Sequence, residues 1–354
     1  MKNNTLKNEN WKSIQMLRAI ASTMVVYYHI SVIPVFGSFG VDIFFVLSGF
    51  VMAMIVQNGE RPLTFLINRI TRIVPLYWIL TTGVIIIAMA KPELLSSTTA
   101  NATNYLKSIF FIPYTKENGA LNPVLAVGWT LNYEMYFYLL IWISIVTKKN
   151  YYLTLTFIYL IISYCVTGNT NIDQTYKSFY SNSIIFEFGI GMIAYKIYNH
   201  KYIVKLNSLI ITTVGISSIA IMVYLETSGK VNIRLIEFGI PSFMLLLSAI
   251  TLEQKKLIKS NLIVKSIVEI GNASYATYLS HFYIVIGFEK IGFEMLNFID
   301  PYSTIGVILI ISTSLFSGHI LYKYVDMPLS RYFKYRCFKI FKIDPCIQKS
   351  KFNS

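Results

Sequence analysis

Residues 14–35 read IQMLRAIASTMVVYYHISVIPV, a run long and apolar enough to cross a lipid bilayer as one helix. Arg18 and His29 are the ionisable side chains within it. They are eleven residues apart. At about 100° and about 1.5 Å per residue, both lie on one helix face, roughly 16 Å apart along the axis. Because an arginine inside a membrane helix costs about 2.5–3.5 kcal/mol on insertion scales, both are functional candidates. Their shared face predicts a lined path for an anionic molecule.

Similar apolar runs recur along all 354 residues. The chain is 55% hydrophobic and 14% charged, whereas soluble proteins carry about 25% charged residues. We therefore expect an all-α, polytopic protein with about ten transmembrane helices in a lipid bilayer. The predicted spans are 13–35, 39–57, 73–91, 128–147, 151–168, 180–198, 206–225, 233–251, 270–290 and 303–323.

The net charge of +14 is distributed unevenly between the two sides of such a bundle. With ten spans, 23 of the 31 Lys and Arg residues fall on the side of the N-terminus and 7 on the opposite side. By the positive-inside rule, both termini are predicted to be cytoplasmic. The excess of basic residues is thus explained by membrane topology, and we expect no nucleic-acid partner.

The segment GSFGVDIFFVLSGF, residues 37–50, contains a carboxylate near the outer end of the second span. Asp42 is separated from His29 by a short loop, so we expect it to orient or charge-balance the imidazole of a catalytic base. Ser48 and Gly49 lie deeper in the span. For these two, close helix packing is the competing and favoured interpretation.

Two arginines in NRITRIVPLYW, residues 68–78, lie three positions apart and share a helix face at the inner end of the third span. The planar guanidinium groups of Arg69 and Arg72 suit phosphate oxygens, because each binds through two parallel donors. The alternative is an inner anchor with a Tyr and Trp interface belt.

Two further polar patterns lie within apolar spans. In GWTLNYEMYFY, residues 128–138, Glu134 is about six residues into the fourth span, and a carboxylate at that depth is a functional candidate. In GNASYATYLSH, residues 271–281, Ser274, Tyr278 and His281 share one helix face, with packing as the alternative for the histidine. We expect no metal site, because no two histidines have ligand spacing and no carboxylate cluster flanks one.

Taken in order, these motifs resemble the membrane-bound acyltransferase-3 family. The resemblance covers residues 11–335 and includes YVDMP, residues 324–328, which is similar to a closing Tyr-x-Glu-x-Pro pattern with Asp326 in place of Glu. Members of the family include bacterial O-acetyltransferases of lipopolysaccharide O-antigen, exopolysaccharides and Nod factors. The resemblance implies an integral-membrane acyltransferase domain over residues 1–335, followed by a basic cytoplasmic tail over 336–354. It also implies a multi-pass protein of the bacterial inner membrane.

The resemblance further implies a cytoplasmic acyl-CoA donor, usually acetyl-CoA, and a carbohydrate acceptor at or beyond the outer face. His29 would be the catalytic histidine, and Glu134 would match the acidic position of the fourth segment. The donor-binding residues would be Arg18, Arg69 and Arg72.

We hypothesise that His29 acts as a general base on a sugar hydroxyl or first accepts the acyl group itself. In this mechanism Asp42 or Glu134 holds the imidazole tautomer. On the ninth span, the residues that bind the acceptor or the thioester oxyanion are Ser274, Tyr278 and His281. The competing function is a transporter or flippase for an anionic or carbohydrate substrate, because intramembrane charges mark transporters too. The pattern predicts no particular oligomeric state.

Overall fold

The computed structural model describes residues 11–95, 98, 100–200, 203–296 and 298–343. These residues form thirteen α-helices and contain no β-strand. The helices are α1 Lys12–Ile30, α2 Gly40–Gln57, α3 Pro62–Ala90, α4 Ala102–Ile109, α5 Trp129–Lys148, α6 Tyr152–Asn169, α7 Gln174–Tyr180, α8 Ile185–His200, α9 Ser208–Thr227, α10 Ile240–Gln254, α11 Leu262–Ile286, α12 Thr304–Leu321 and α13 Met327–Ile340. The π-helical segments are Leu235–Gly239, Gly287–Met295 and Tyr322–Asp326.

Six helical stretches of the described residues are long and apolar enough to cross a membrane. They confirm the predicted all-α polytopic class, whereas the count of ten spans stays a prediction. The polar side chains of α1, Arg18 and His29 among them, lower its hydropathy, and α8 has only 16 residues against about 20 for a typical span. The six stretches are Gly40–Gln57, Pro62–Ala90, Ala126–Asn169, Ser208–Thr227, Leu235–Gln254 and Thr304–Ile340.

The first helix lies at the centre of the bundle, where it packs against α2, α10, α11 and α12. We call the side on which α1 begins the near side and the side on which it ends the far side. At the near side, the carboxylate of Glu253 accepts hydrogen bonds from the backbone N–H groups of Lys12 and Ser13, at 2.9 and 3.0 Å. An anion at this position satisfies orphan donors and complements the helix dipole. It fixes the depth of α1 in the bundle.

Small residues bring the central helices close together. A Cβ atom on Gly49 of α2 would collide with the backbone of Phe188 in α8, and one on Gly271 of α11 would collide with the backbone of Gln15 in α1. Such close approach is what small residues provide inside membranes. The packing interpretation of Gly49 is therefore confirmed.

The far-side loop after α1 sets the position of His29 relative to α2. The helix ends at Ser31, which adopts the left-handed conformation with φ of 59°, and Gly37 follows with φ of 114°. Glu226, at the end of α9, accepts hydrogen bonds from the backbone of Gly37 and Ser38 at 2.7 and 3.0 Å. These contacts fasten the loop between α1 and α2 to the end of α9.

The third helix begins at Pro62, well before the predicted start of the span at residue 73. A proline at the first helical position is favoured because its missing N–H is not needed there. The earlier start places Arg69 and Arg72 within the helix, on its near-side half. Both guanidinium groups consequently face the interior of the bundle.

Residues 344–354, which include Cys346 and most of the predicted tail, lie outside the described residues. The predicted division at residue 335 falls within α13, which continues to Ile340. The separation of a domain and a tail stays a prediction.

Candidate active site

A cavity of about 420 Å³ lies within the bundle, between α1, α2, α3, α5, α11 and α13. Its wall is apolar toward α2 and strongly polar toward the other helices. The polar and charged residues that line it are Arg18, Ser48, Asn68, Arg69, Thr71, Arg72, Thr130, Glu134, Tyr138, Tyr275, Tyr278, Ser330 and Lys334.

Arg18 reaches the cavity from α1 and is held by the ninth predicted span. Its Nε donates a hydrogen bond to the hydroxyl of Ser274 at 3.1 Å, and Ser274 is fully buried. The structure therefore brings these two predicted residues together. Ser274, which the sequence assigned to substrate binding, positions a cationic group of the cavity.

Arg72 is fixed on two sides. Its Nη1 donates to a carboxylate oxygen of Asp326, which is almost completely buried, and its guanidinium lies 4.9 Å from the ring centroid of Tyr275. The Tyr275 hydroxyl in turn donates to the carbonyl oxygen of Ile73 at 2.7 Å. Asp326, for which the sequence suggested no role of its own, thus orients a predicted donor-binding arginine.

Arg69 lies nearer the mouth of the cavity and keeps a free donor. Its Nε is buried and has no hydrogen-bond partner within the described part of the chain. The neighbouring Asn68 donates to Glu60, and burial raises the pKa of that loop carboxyl. Lys334 of α13 lines the same mouth. The lining therefore includes four cationic side chains, and the arrangement suits an anionic ligand.

Glu134 is a carboxylate of this cavity. It accepts hydrogen bonds from Ser48 at 3.0 Å and from the Tyr138 hydroxyl, one helical turn further along α5. Ser48 is thus a polar residue of the cavity wall, and for this residue the packing interpretation stays a prediction.

The far-side end of the cavity is closed by a small hydrogen-bonded cluster. The hydroxyl of Tyr278 lies 2.8 Å from Thr130 Oγ1 and donates to the carbonyl oxygen of Val127 at 2.9 Å. The ring of Phe44 packs edge-on against Tyr278, with centroids 5.8 Å apart. The cavity that contains Arg18 therefore does not extend as far as His29.

Two histidines face each other beyond this closure. The Nδ1 of His29 is 2.8 Å from the carbonyl oxygen of Val25, and the Nε2 of His281 is 3.4 Å from the same Nδ1. The ring centroids are 4.9 Å apart at an interplanar angle of 61°. His281 is fully buried and His29 is half-buried. Neither ring lines the cavity.

Asp42 faces away from this pair, toward α10. Its two carboxylate oxygens accept from Nε and Nη2 of Arg234 at 2.8 and 2.7 Å, and Nη2 also donates to the carbonyl of Ser38. Among the contacts of the described residues, neither Asp42 nor Glu134 reaches His29, so the carboxylate orienter expected from the sequence stays a prediction. The rotation of α2 turns Asp42 toward a cation that the sequence had counted as an outer-loop charge.

Three residues of this region were not singled out in the sequence analysis, namely Arg234, Ser330 and Lys334, and Asp326 was named there only as part of the YVDMP motif. Arg234 fell at the start of a predicted span, where the rule for intramembrane charges could have found it. Lys334 was counted among the inner charges, and nothing in its neighbourhood of the sequence indicates that α13 folds back against α3. Over the described residues, no group of three or more His, Cys, Asp or Glu side chains is arranged to hold a metal ion.

A family model described as an acyltransferase domain, acyltransferase-3, matches residues 11–322. The chain belongs to the acyltransferase-3 family. This confirms the resemblance carried by the motifs, and most of the cavity lining and both histidines of the pair lie within the matched residues. Asp326, Ser330 and Lys334 lie beyond the match.

The exopolysaccharide production protein ExoZ of Rhizobium meliloti (strain 1021) is 38% identical over 162 residues. The match covers 44% of this chain and 50% of that protein, so the two chains are compared over about half of their lengths. No solved structure was found that matches the present chain.

Proposed function

We propose that this chain is an O-acyltransferase that moves an acyl group from cytoplasmic acyl-CoA to a hydroxyl of an exopolysaccharide or its lipid-linked precursor. Acetyl-CoA is the proposed donor. The observation that carries the proposal is the order of groups along α1. A cationic cavity surrounds Arg18, and an imidazole pair containing His29 lies beyond the far-side end of that cavity.

The cavity has the chemistry of a site for a phosphorylated donor. Guanidinium groups bind phosphate oxygens through paired donors, and Arg69 has an unpartnered Nε within the described region. A volume of about 420 Å³ falls in the range typical of small-molecule sites. We assign the diphosphate and the nucleotide end of the donor to Arg18, Arg69, Arg72 and Lys334, with the acyl arm directed toward Tyr278.

The chemical step uses the free nitrogen of His29. Since Nδ1 faces the carbonyl oxygen of Val25, it carries the proton, and Nε2 is left as the base. Nε2 takes the proton of the acceptor hydroxyl while the hydroxyl oxygen bonds to the thioester carbonyl carbon. The carbon–sulfur bond breaks, and the departing thiolate receives that proton from the imidazolium. The acyl arm reaches His29 when the Tyr278 hydroxyl leaves Thr130.

The proposed setting is the bacterial inner membrane, with the near side and both termini in the cytoplasm. The excess of Lys and Arg on the near-side segments supports this orientation. The far side, which would carry the His29 pair, then faces the carbohydrate acceptor. The name of the Rhizobium meliloti relative supports an exopolysaccharide as the acceptor class.

The test uses purified full-length protein in proteoliposomes, with radiolabelled acetyl-CoA and exopolysaccharide oligosaccharides as acceptor. We expect labelled acceptor from the wild type and a loss of about 10³-fold or more in His29→Ala, since removal of a catalytic base or nucleophile commonly costs this much. His319→Ala, in α12, is the matched control and should retain activity. Accumulation of carbohydrate inside the vesicles without acyl transfer would instead support the transporter function.

A further inference from the structure

His281 is buried at the centre of the bundle, where an unpaired polar ring is costly. It lies on α11, one turn beyond Thr277, and its side chain points at α1. The sequence offered substrate binding or packing as its role. In the structure, the Nε2 of His281 instead faces the Nδ1 of His29 at 3.4 Å.

One proton arrangement satisfies every contact of the pair. The Nδ1 of His29 faces the carbonyl of Val25, and the Nδ1 of His281 faces the carbonyl of Thr277 at 3.3 Å. A carbonyl oxygen only accepts hydrogen bonds, so both Nδ1 atoms carry protons. In a neutral ring the Nε2 of His281 is then an acceptor, directed at the N–H of His29. The opposite tautomer of His281 would place two N–H groups against each other.

We infer that His281 is a positioning residue that holds His29 in the tautomer with Nε2 free, an inference that rests on the proposed function of His29 as the base. The N–H of His29 is shared between the carbonyl of Val25 and the ring of His281. When Nε2 takes a proton, the imidazolium that forms keeps both acceptors. In a serine-protease triad a carboxylate has this orienting role; here a neutral, buried imidazole supplies it.

The choice of a neutral acceptor follows from burial. A carboxylate enclosed by α1, α11 and α12 would need its own cation, and the nearby carboxylate Asp42 is already neutralised by Arg234. A second imidazole accepts one hydrogen bond without adding a charge. The pair is not expected to carry two extra protons at once, because two imidazolium rings at this distance would repel each other.

The first experiment reads the tautomer and does not depend on turnover. The chain has four histidines, so the ¹⁵N spectrum of histidine-labelled protein in detergent is small enough to assign with single variants. We expect His29 to show a protonated Nδ1 and a free Nε2. In His281→Leu, which removes one of the two acceptors of the Nδ1–H and leaves the Val25 carbonyl, the two ¹⁵N shifts should move toward each other as the second tautomer gains population. His319→Leu is the matched control and should leave them unchanged.

The second experiment measures turnover in the same variants. We expect His281→Leu to lower kcat by about 10- to 100-fold with the KM for acetyl-CoA unchanged, because only the base is affected. His281→Gln, whose amide oxygen can reach the same N–H, should remain within about threefold of the wild type. All variants are compared at equal amounts of monodisperse protein.

Two results would overturn the inference. One is an unchanged His29 spectrum in His281→Leu. The other is an equal loss of kcat in the Gln and Leu variants, which would make His281 a packing residue. A wild type with the expected spectrum and no acyl transfer would refute the proposed function while leaving the histidine pair as described.

Discussion

Among the described residues, two arginine–carboxylate pairs join helical segments that are distant in the sequence. They differ in what surrounds the rest of the guanidinium group. Arg72 bonds to Asp326 through one nitrogen and otherwise faces the cavity. Arg234 bonds to Asp42 through two nitrogens, donates again to the backbone of Ser38, and lines no part of the cavity. The first pair presents a cation to the cavity, whereas the second fastens the start of the α10 region to α2. Intramembrane charge alone therefore does not mark a reactive group.

The largest expected effect concerns the second pair. Asp42→Leu should destabilise the protein by about 3–5 kcal/mol, because it removes the carboxylate that bonds to two nitrogens of the Arg234 guanidinium. The double variant Asp42→Leu with Arg234→Met should recover most of the loss. Thermal unfolding followed by tryptophan fluorescence in detergent measures both. If Asp42→Leu unfolds like the wild type but loses kcat, the catalytic role predicted from the sequence is the better assignment.

Substitutions in the Arg72–Asp326 pair should instead change the KM for the acyl donor. Arg72→Ala is expected to raise the KM for acetyl-CoA by about 10- to 100-fold, because a phosphate would lose a charge-assisted, bidentate partner. Asp326→Asn should raise it less, since the guanidinium remains but is no longer held. Asp326→Glu, which restores the residue of the Tyr-x-Glu-x-Pro pattern, should stay within about threefold. Equal KM values in all of these variants would remove Arg72 from the donor site.

The closure between the cavity and the histidines should show a smaller effect. Tyr278→Phe removes the hydroxyl that bonds to Thr130 and Val127, and a hydrogen bond is worth about 0.5–1.5 kcal/mol. We therefore expect acetyl-CoA hydrolysis without acceptor to rise by about 3- to 10-fold. Thiol release measured by a chromogenic reagent follows it. A fall in both hydrolysis and transfer would support the substrate-binding role that the sequence assigned to Tyr278.

A buried cation with a hydroxyl partner gives the smallest expected effect. Lys116, in the far-side loop before α5, donates to Thr98 at 3.0 Å, and burial lowers its pKa to about 8. The folded state therefore releases this proton at lower pH than the unfolded chain. The stability of the loop should rise between pH 8 and pH 10.5, because only the unfolded state binds the proton there. Limited proteolysis of the loop across this range measures it, and Lys116→Met should abolish the dependence.

The sequence predicted the helical class and much of the cavity wall. Apolar runs fix where helices form, and the motifs singled out Arg18, Arg69, Arg72 and Glu134, all of which line the cavity. The depth of these residues in their spans and their spacing were sufficient to predict that they face the interior, because a helix has a regular period.

The partners of the charged groups could not be predicted in the same way. Asp42 and Arg234 are separated by 192 positions, and their contact depends on how α2 is rotated relative to the π-helical segment that precedes α10. The same limit applies to His29 and His281, 252 positions apart. Both histidines were singled out from the sequence, but the orienting role was assigned to carboxylates, because only a short loop separates Asp42 from His29.

The position of α13 has a consequence for the modularity of the family. Asp326 bonds to the cavity residue Arg72, and Ser330 and Lys334 line the cavity, yet all three lie after the residues that the family model matches. A chimera that exchanges residues 323–343 between two members would leave the histidines and the far-side loops untouched. Any change in the KM for the acyl donor would then be due to α13 and not to the histidines.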